Sequence, residues 1–170
     1  MRPRGAALIL AYWTGKMDLS DLVTPEAILP SLKANSKKQV LQAIAEKAAA
    51  ITGVDERNIF ETLVKRERLG STGVGGGIAI PHGKLAKLDR IFGLFARLPK
   101  PIDFEALDET PVDLIFLLLA PESAGADHLK ALARIARLFR EPGVVGKLRA
   151  SSDMSALYAV LTEGATHNAA

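Results

Sequence analysis

The chain has 170 residues, enough for one domain with a sizeable core and short of two. Its 22 Lys and Arg against 19 Asp and Glu leave a net charge of only +3, too small and too scattered to argue for nucleic acid. The absence of cysteine excludes disulfides, thiolate metal sites and a cysteine nucleophile, and no run reaches the ~20 apolar residues of a membrane span, so a cytoplasmic protein without membrane insertion is expected.

The start, MRPRGAALILAYWTGK, places two arginines before a short apolar run from Ala6 to Trp13. It mimics a secretory signal, but no small-x-small cleavage site follows. Ordinary domain sequence begins at Met17, so residues 1–16 are read as an extension, 17–163 as one domain and 164–170 as a flexible tail.

Ser36-Lys37-Lys38-Gln39 has the form of a capping box. Behind it Val40, Leu41, Ile44, Ala48 and Ile51 share a helical face, and Gly53 ends the helix. A second helix starts at Asp55, turns Ile59, Leu63 and Val64 inward, and ends near Leu69-Gly70. Lys33, Lys37, Lys38 and Lys47 alternate with polar and acidic residues as a solvated face does. From Ser71 to Gly77 the chain is glycine-rich and is read as irregular.

Ile78 to Ile80 is a short strand ended by Pro81. Ile91 to Leu98 is a strand with a bend at Gly93, closed by Pro99 and Pro101. The most apolar run, Val112 to Leu119, predicts a central strand covered on both faces. A helix from about Ala124 to Phe139 buries Leu129, Leu132, Ile135, Ala136 and Phe139, and Pro142-Gly143 stops it. Two more follow, Val144 to Ala150 and Asp153 to Thr162. The sum is one α/β domain, with helices on a small mixed sheet. The cations from Lys130 to Arg149 read as a solvated helix face, or as a docking surface for an acidic partner.

The glycines invite a phosphate motif, but the spacing defeats it. Five residues lie between Gly77 and Gly83 where a Walker A loop needs four, and Lys84 precedes leucine; the dinucleotide fingerprint also fails. His82 is the better candidate. If Pro81 ends the strand, His82 stands at its mouth, where scaffolds present reactive groups. Gly83 would leave the approach open. The N–H groups of the glycine run would offer an anion-binding concavity, Ser71 and Thr72 hydroxyls, and Arg66 and Arg68 fixed positive charge. These are parts for phosphoryl transfer, although a lone histidine also serves as a surface or capping residue. His128, next to Asp127 at a helix start, either assists a phosphorylated neighbour, fixes its tautomer, or faces solvent. His167 in the tail is read as incidental.

RERLGSTGVGGGIAIPHGK, from Arg66 to Lys84, resembles the phosphorylation-site segment of enzyme IIA proteins of the bacterial phosphotransferase system, in the mannitol/fructose class and closest to its nitrogen-related regulatory branch. PVDLIFLLLAPESAGADHLKALARIARLF and LRASSDMSALYAVLTE also resemble that family, so the likeness spans about Asp18 to Glu163. It implies a mannitol-type IIA fold, His82 as the phosphorylated residue with Nε2 as nucleophile, His128 in support and Arg66 holding the phosphoryl group. Glu67, Ser71, Thr72 and Gly73 would line the same region, with Gly75, Gly77 and Gly83 completing a phosphate loop. Position 76 is glycine where many relatives have asparagine, which loosens that loop.

The resemblance further implies a phosphoryl donor of the HPr-like carrier type and no cofactor or metal. The absence of IIB and IIC modules favours a regulatory role, with targets such as potassium transport proteins or sensor kinases; a sugar-transport IIA serving a separate IIB is the alternative. A weak homo-oligomer is left open. Two rivals have different signatures: a metal hydrolase built on His82, His128 and Asp127, and a binding module in which phosphorylation is vestigial.

Overall fold

The computed structural model describes residues 18–168, with side chains to Glu163. The extension at 1–16, tail residues 169–170 and the side chain of His167 lie outside it. Among the described residues no helix is long and apolar enough to cross a membrane.

The elements in chain order are β1 (Ile28–Leu29), α1 (Lys37–Thr52), α2 (Glu56–Leu69), β2 (Gly73–Gly75), β3 (Ile78–Ala79), β4 (His82–Leu85), β5 (Phe92–Ile102), β6 (Val112–Pro121), α3 (Ala126–Leu138), α4 (Pro142–Ala150) and α5 (Met154–Asn168), with short 3-10 turns at Leu19–Asp21, Pro25–Ala27 and Glu122–Ala124. The six strands form one mixed sheet in the order β1-β5-β6-β3-β2, with β4 also on β6. β6 is central as expected: β5 lies antiparallel on one side, and β3 and β4 parallel on the other. Val112 and the residues from Leu114 to Pro121 are buried, with Asp113 half-exposed.

Local chemistry sets the first helices. Ser36 Oγ accepts from Gln39 N, and the Gln39 amide oxygen reaches one residue further back than a capping box requires, to Asn35 N at 2.7 Å. Gly53, with φ 77°, closes α1 in the left-handed conformation, and Asp55 caps α2 through Asn58 N.

Pro81 does not end its strand. β3 and β4 keep one register against β6, with Ile78 opposite Leu114 and His82 opposite Leu118, and Leu118 N donates to Pro81 O across the gap. The proline costs one ladder bond, because it has no N–H to return, and the strand resumes beyond it. His82 therefore stands within the sheet rather than past it.

Other boundaries move for similar reasons. The glycine-rich stretch is not irregular: Gly73 to Gly75 pair with β3 as an antiparallel hairpin. Pro99 and Pro101 interrupt pairing between Arg97 and Ile102, but β5 continues. Pro142 opens α4 from its first position, where a missing N–H costs nothing. Leu129 is 65% exposed, not inward. The α5 backbone runs to Asn168, past the expected end at Thr162. Gly93 serves a close approach: a Cβ there would stand 2.9 Å from the Phe116 ring, which packs edge-on against Phe139.

Candidate functional site

The C-terminal turn of α2 and the start of β4 meet at the sheet edge. Arg66 Nε donates to His82 Nε2 at 3.2 Å, and Arg66 Nη1 donates to Gly70 O at 2.8 Å. His82 Nδ1 lies 2.8 Å from Ile80 O. A carbonyl oxygen only accepts, so this network assigns the ring proton to Nδ1 and leaves the Nε2 lone pair facing Arg66. Burial holds the His82 pKa below its ordinary value; the Ile80 bond opposes this, Arg66 adds to it, and Glu67 opposes it. The resting state is a neutral imidazole with Nε2 unprotonated.

His128 comes from the first turn of α3, across the face of His82. The two ring centroids are 5.6 Å apart at 48°. His128 is 8% exposed, which removes the solvent-facing reading, and its buried Nε2 has no hydrogen-bond partner among the described residues. Burial holds its pKa low, and the imidazolium of His82, when it forms, and the Lys84 charge push it further down. A buried polar atom without a partner is costly, so this nitrogen is poised for a group that arrives beside His82.

Arg66, Thr72 and His82 line a cavity of about 310 Å³ together with the apolar Val74, Leu132 and Ala136. Room of that size beside Nε2 admits a phosphoryl group together with part of a partner's surface.

The neighbouring residues divide sharply. Ser71 and Thr72 line the cavity, but their hydroxyls are committed: Ser71 Oγ donates to Phe104 O at 2.7 Å, and Thr72 Oγ1 donates to Glu67. Glu67 also accepts from Thr72 N and pairs with Lys37 Nζ at 2.8 Å, with its side chain only 6% exposed. The sequence placed Lys37 on a solvated face; its Nζ in fact stands 5.0 Å from the Phe104 ring centroid and reaches a buried carboxylate. Alternating charge along α1 hid it.

The glycines read as a phosphate loop pack against groups of this chain. Gly73 N is held by Ser71 Oγ, and a Cβ at Gly73 would meet Ala106 at 2.8 Å. Gly75 and Gly77 belong to the β2–β3 turn, at φ 97° and 82°. Five residue steps along extended chain take Gly77 to His82, roughly 16 Å. That turn faces Asp108, which accepts from Gly76 N, and Arg149, which forks onto Asp113 and donates to Gly76 O. Gly83 is not an open approach: its missing Cβ makes room for Thr62 of α2, whose Cγ2 would lie 2.6 Å away. Two cations were missed. Arg149 belongs to the turn, and Lys84, two residues along β4 from His82, bears on His128. Among the described residues no cluster of His, Asp and Glu could hold a metal ion.

Residues 21–164 match the family model for the phosphoenolpyruvate-dependent sugar phosphotransferase system, EIIA 2. A nitrogen regulatory protein of Bradyrhizobium diazoefficiens is 68% identical over 145 residues, covering 85% of this chain and 95% of that one. The crystal structure of the nitrogen regulatory protein IIA-Ntr from Neisseria meningitidis superposes with a TM-score of 0.81 at 34% identity, covering 85% and 99% of the two chains. The mannitol IIA of Escherichia coli shares the fold, with a TM-score of 0.71 at 18% identity over 82% and 98%. With a family match across nearly the whole described chain, and close relatives that carry the nitrogen regulatory name, the chain belongs to the EIIA type 2 family of the phosphotransferase system.

Proposed function

We propose that this phosphotransferase-system regulatory component accepts a phosphoryl group on His82 Nε2 from a phosphorylated HPr-like carrier. One observation carries the reading: Nδ1 bonded to Ile80 O leaves Nε2 as the ring's free lone pair, with Arg66 already beside it.

In the transfer step the Nε2 lone pair attacks phosphorus in line. The N–P bond of the donor's phosphohistidine breaks, and its electron pair returns to the donor ring. Neutral His82 loses no proton, because Nδ1–H stays on Ile80 O. Arg66 swings its guanidinium from Nε2 to the equatorial oxygens, and the unpartnered Nε2 of His128 completes the cradle.

Incubation with a phosphorylated HPr-like carrier should label the wild-type protein, while His82→Ala takes up none; full labelling of that variant would assign the acceptor elsewhere. Onward passage of the label to a separate IIB protein would mark a sugar-transport role. Retention of label, with phosphorylation-dependent capture of a regulatory target, supports regulation.

A further inference from the structure

One charged pair has no role in the transfer step. Glu67 is adjacent to Arg66 in the last turn of α2, its carboxylate almost wholly buried, with Lys37 from the first turn of α1 as its counter-ion. Thr72 N–H and O–H both donate to it. A glutamine amide oxygen could accept both bonds at lower desolvation cost, so packing alone does not call for a carboxylate and a lysine here.

We infer that the Lys37–Glu67 pair tunes how readily His82 takes and yields its phosphoryl group, with Lys37 balancing a carboxylate that holds Thr72, a residue lining the same cavity as His82. This rests on the phosphohistidine reading above. When Nε2 carries phosphorus, the phosphoryl oxygens add negative charge to the cavity that Thr72, the hydrogen-bond partner of Glu67, lines. Repulsion from the carboxylate then favours breaking the N–P bond, with the electron pair staying on the His82 ring and phosphorus passing to the acceptor. Lys37 limits that repulsion. Its stem covers the Phe104 ring, so its ammonium has little freedom to leave Glu67.

Several charged groups among the described residues bear on His82 or on its neighbours. Arg66 and Glu67 act from α2, and His128 lies across from it on α3. Lys84 bears on His128 from β4, and Lys37 meets Glu67 from α1. Arg66 and Glu67 thus act on His82 with opposite signs.

The test uses Lys37→Met, Glu67→Gln and the double variant in the full chain. The His82 ring is titrated by nitrogen-detected NMR. In parallel, the half-life of the phosphohistidine is followed after loading from a phosphorylated HPr-like carrier. Lys37→Met should raise the His82 pKa and shorten the half-life several-fold. Glu67→Gln should lower the pKa and lengthen the half-life several-fold. The double variant, which leaves no uncompensated charge and so folds if either single does not, should shift both in the direction of Glu67→Gln, by less.

Shifts of the same sign in the two single variants mean a packing role and overturn the inference. So do single variants that both titrate and hydrolyse like the wild type. A wild-type protein that takes up no label would instead overturn the phosphohistidine reading, and the titration arm would still judge the pair.

Discussion

At the residue scale the site is a contest over one nitrogen. His82 Nε2 accepts from Arg66 Nε in the resting state, so in the proposed transfer the residue that receives the phosphoryl oxygens first covers the lone pair that attacks. The exchange is favourable because a guanidinium binds phosphoryl oxygens more strongly than a neutral imidazole. Arg66→Ala should therefore slow phosphoryl transfer about 10- to 100-fold, the loss of one charge-assisted hydrogen bond in the transition state. The same substitution should raise the His82 pKa, because the Arg66 charge holds it down. Stopped-flow transfer rates and ring titration check the two effects; a normal rate with a raised pKa would confine Arg66 to the resting state. Arg66→Lys should restore only part of the rate, since a point charge replaces a planar fork.

At the element scale, one close contact sets the distance between α2 and β4. Thr62 Oγ1 donates to Asn58 O at 2.7 Å, which fixes the rotamer that points Cγ2 at Gly83. Gly83→Ala should cost about 1–3 kcal/mol and lower the thermal midpoint. Adding Thr62→Ser, which removes the obstructing methyl, should recover most of it. Calorimetry of the single and double variants measures both. This contact also shows what the sequence could reveal. Ser36, Gly53 and Asp55 announce the helix ends because capping is local chemistry, and β6 announces itself because a strand covered on both faces must be apolar throughout. His82, Arg66 and His128 were legible as a set through the family likeness, and the structure brings them together. The role of Gly83 was not legible, because it depends on a residue 21 positions away on another element. Pro81 misled for the opposite reason: its local preference is real, but a paired neighbour on β6 outweighs one lost hydrogen bond. The glycines of the β2–β3 turn suggested a ligand, when the groups they accommodate are this chain's own Asp108 and Arg149.

At the scale of the whole molecule, the buried histidines make stability depend on pH. His82 and His128 both have lowered pKa values in the folded protein. As pH falls through the ordinary histidine value, about 6.5, the unfolded chain takes up protons first and is favoured. Stability from this source is complete above that pH and is lost below it, down to the depressed folded-state values. The thermal midpoint should hold between pH 8 and pH 7 and then decline, and replacing both histidines by glutamine should flatten the decline between pH 6.5 and 5; a decline of unchanged slope would trace acid sensitivity to other groups.

The central position of β6 has a last consequence, for the order in which the protein is made. β5 pairs with β6 on one side and β3 with β4 on the other, yet β6 leaves the ribosome after all of them. The nascent chain thus carries Arg66 and His82 for some forty residues of synthesis with no sheet to seat them, its apolar strands waiting on a partner not yet translated. His128 follows within seven residues of the end of β6. Closure of the sheet and assembly of the histidine pair therefore become possible at nearly the same moment of translation.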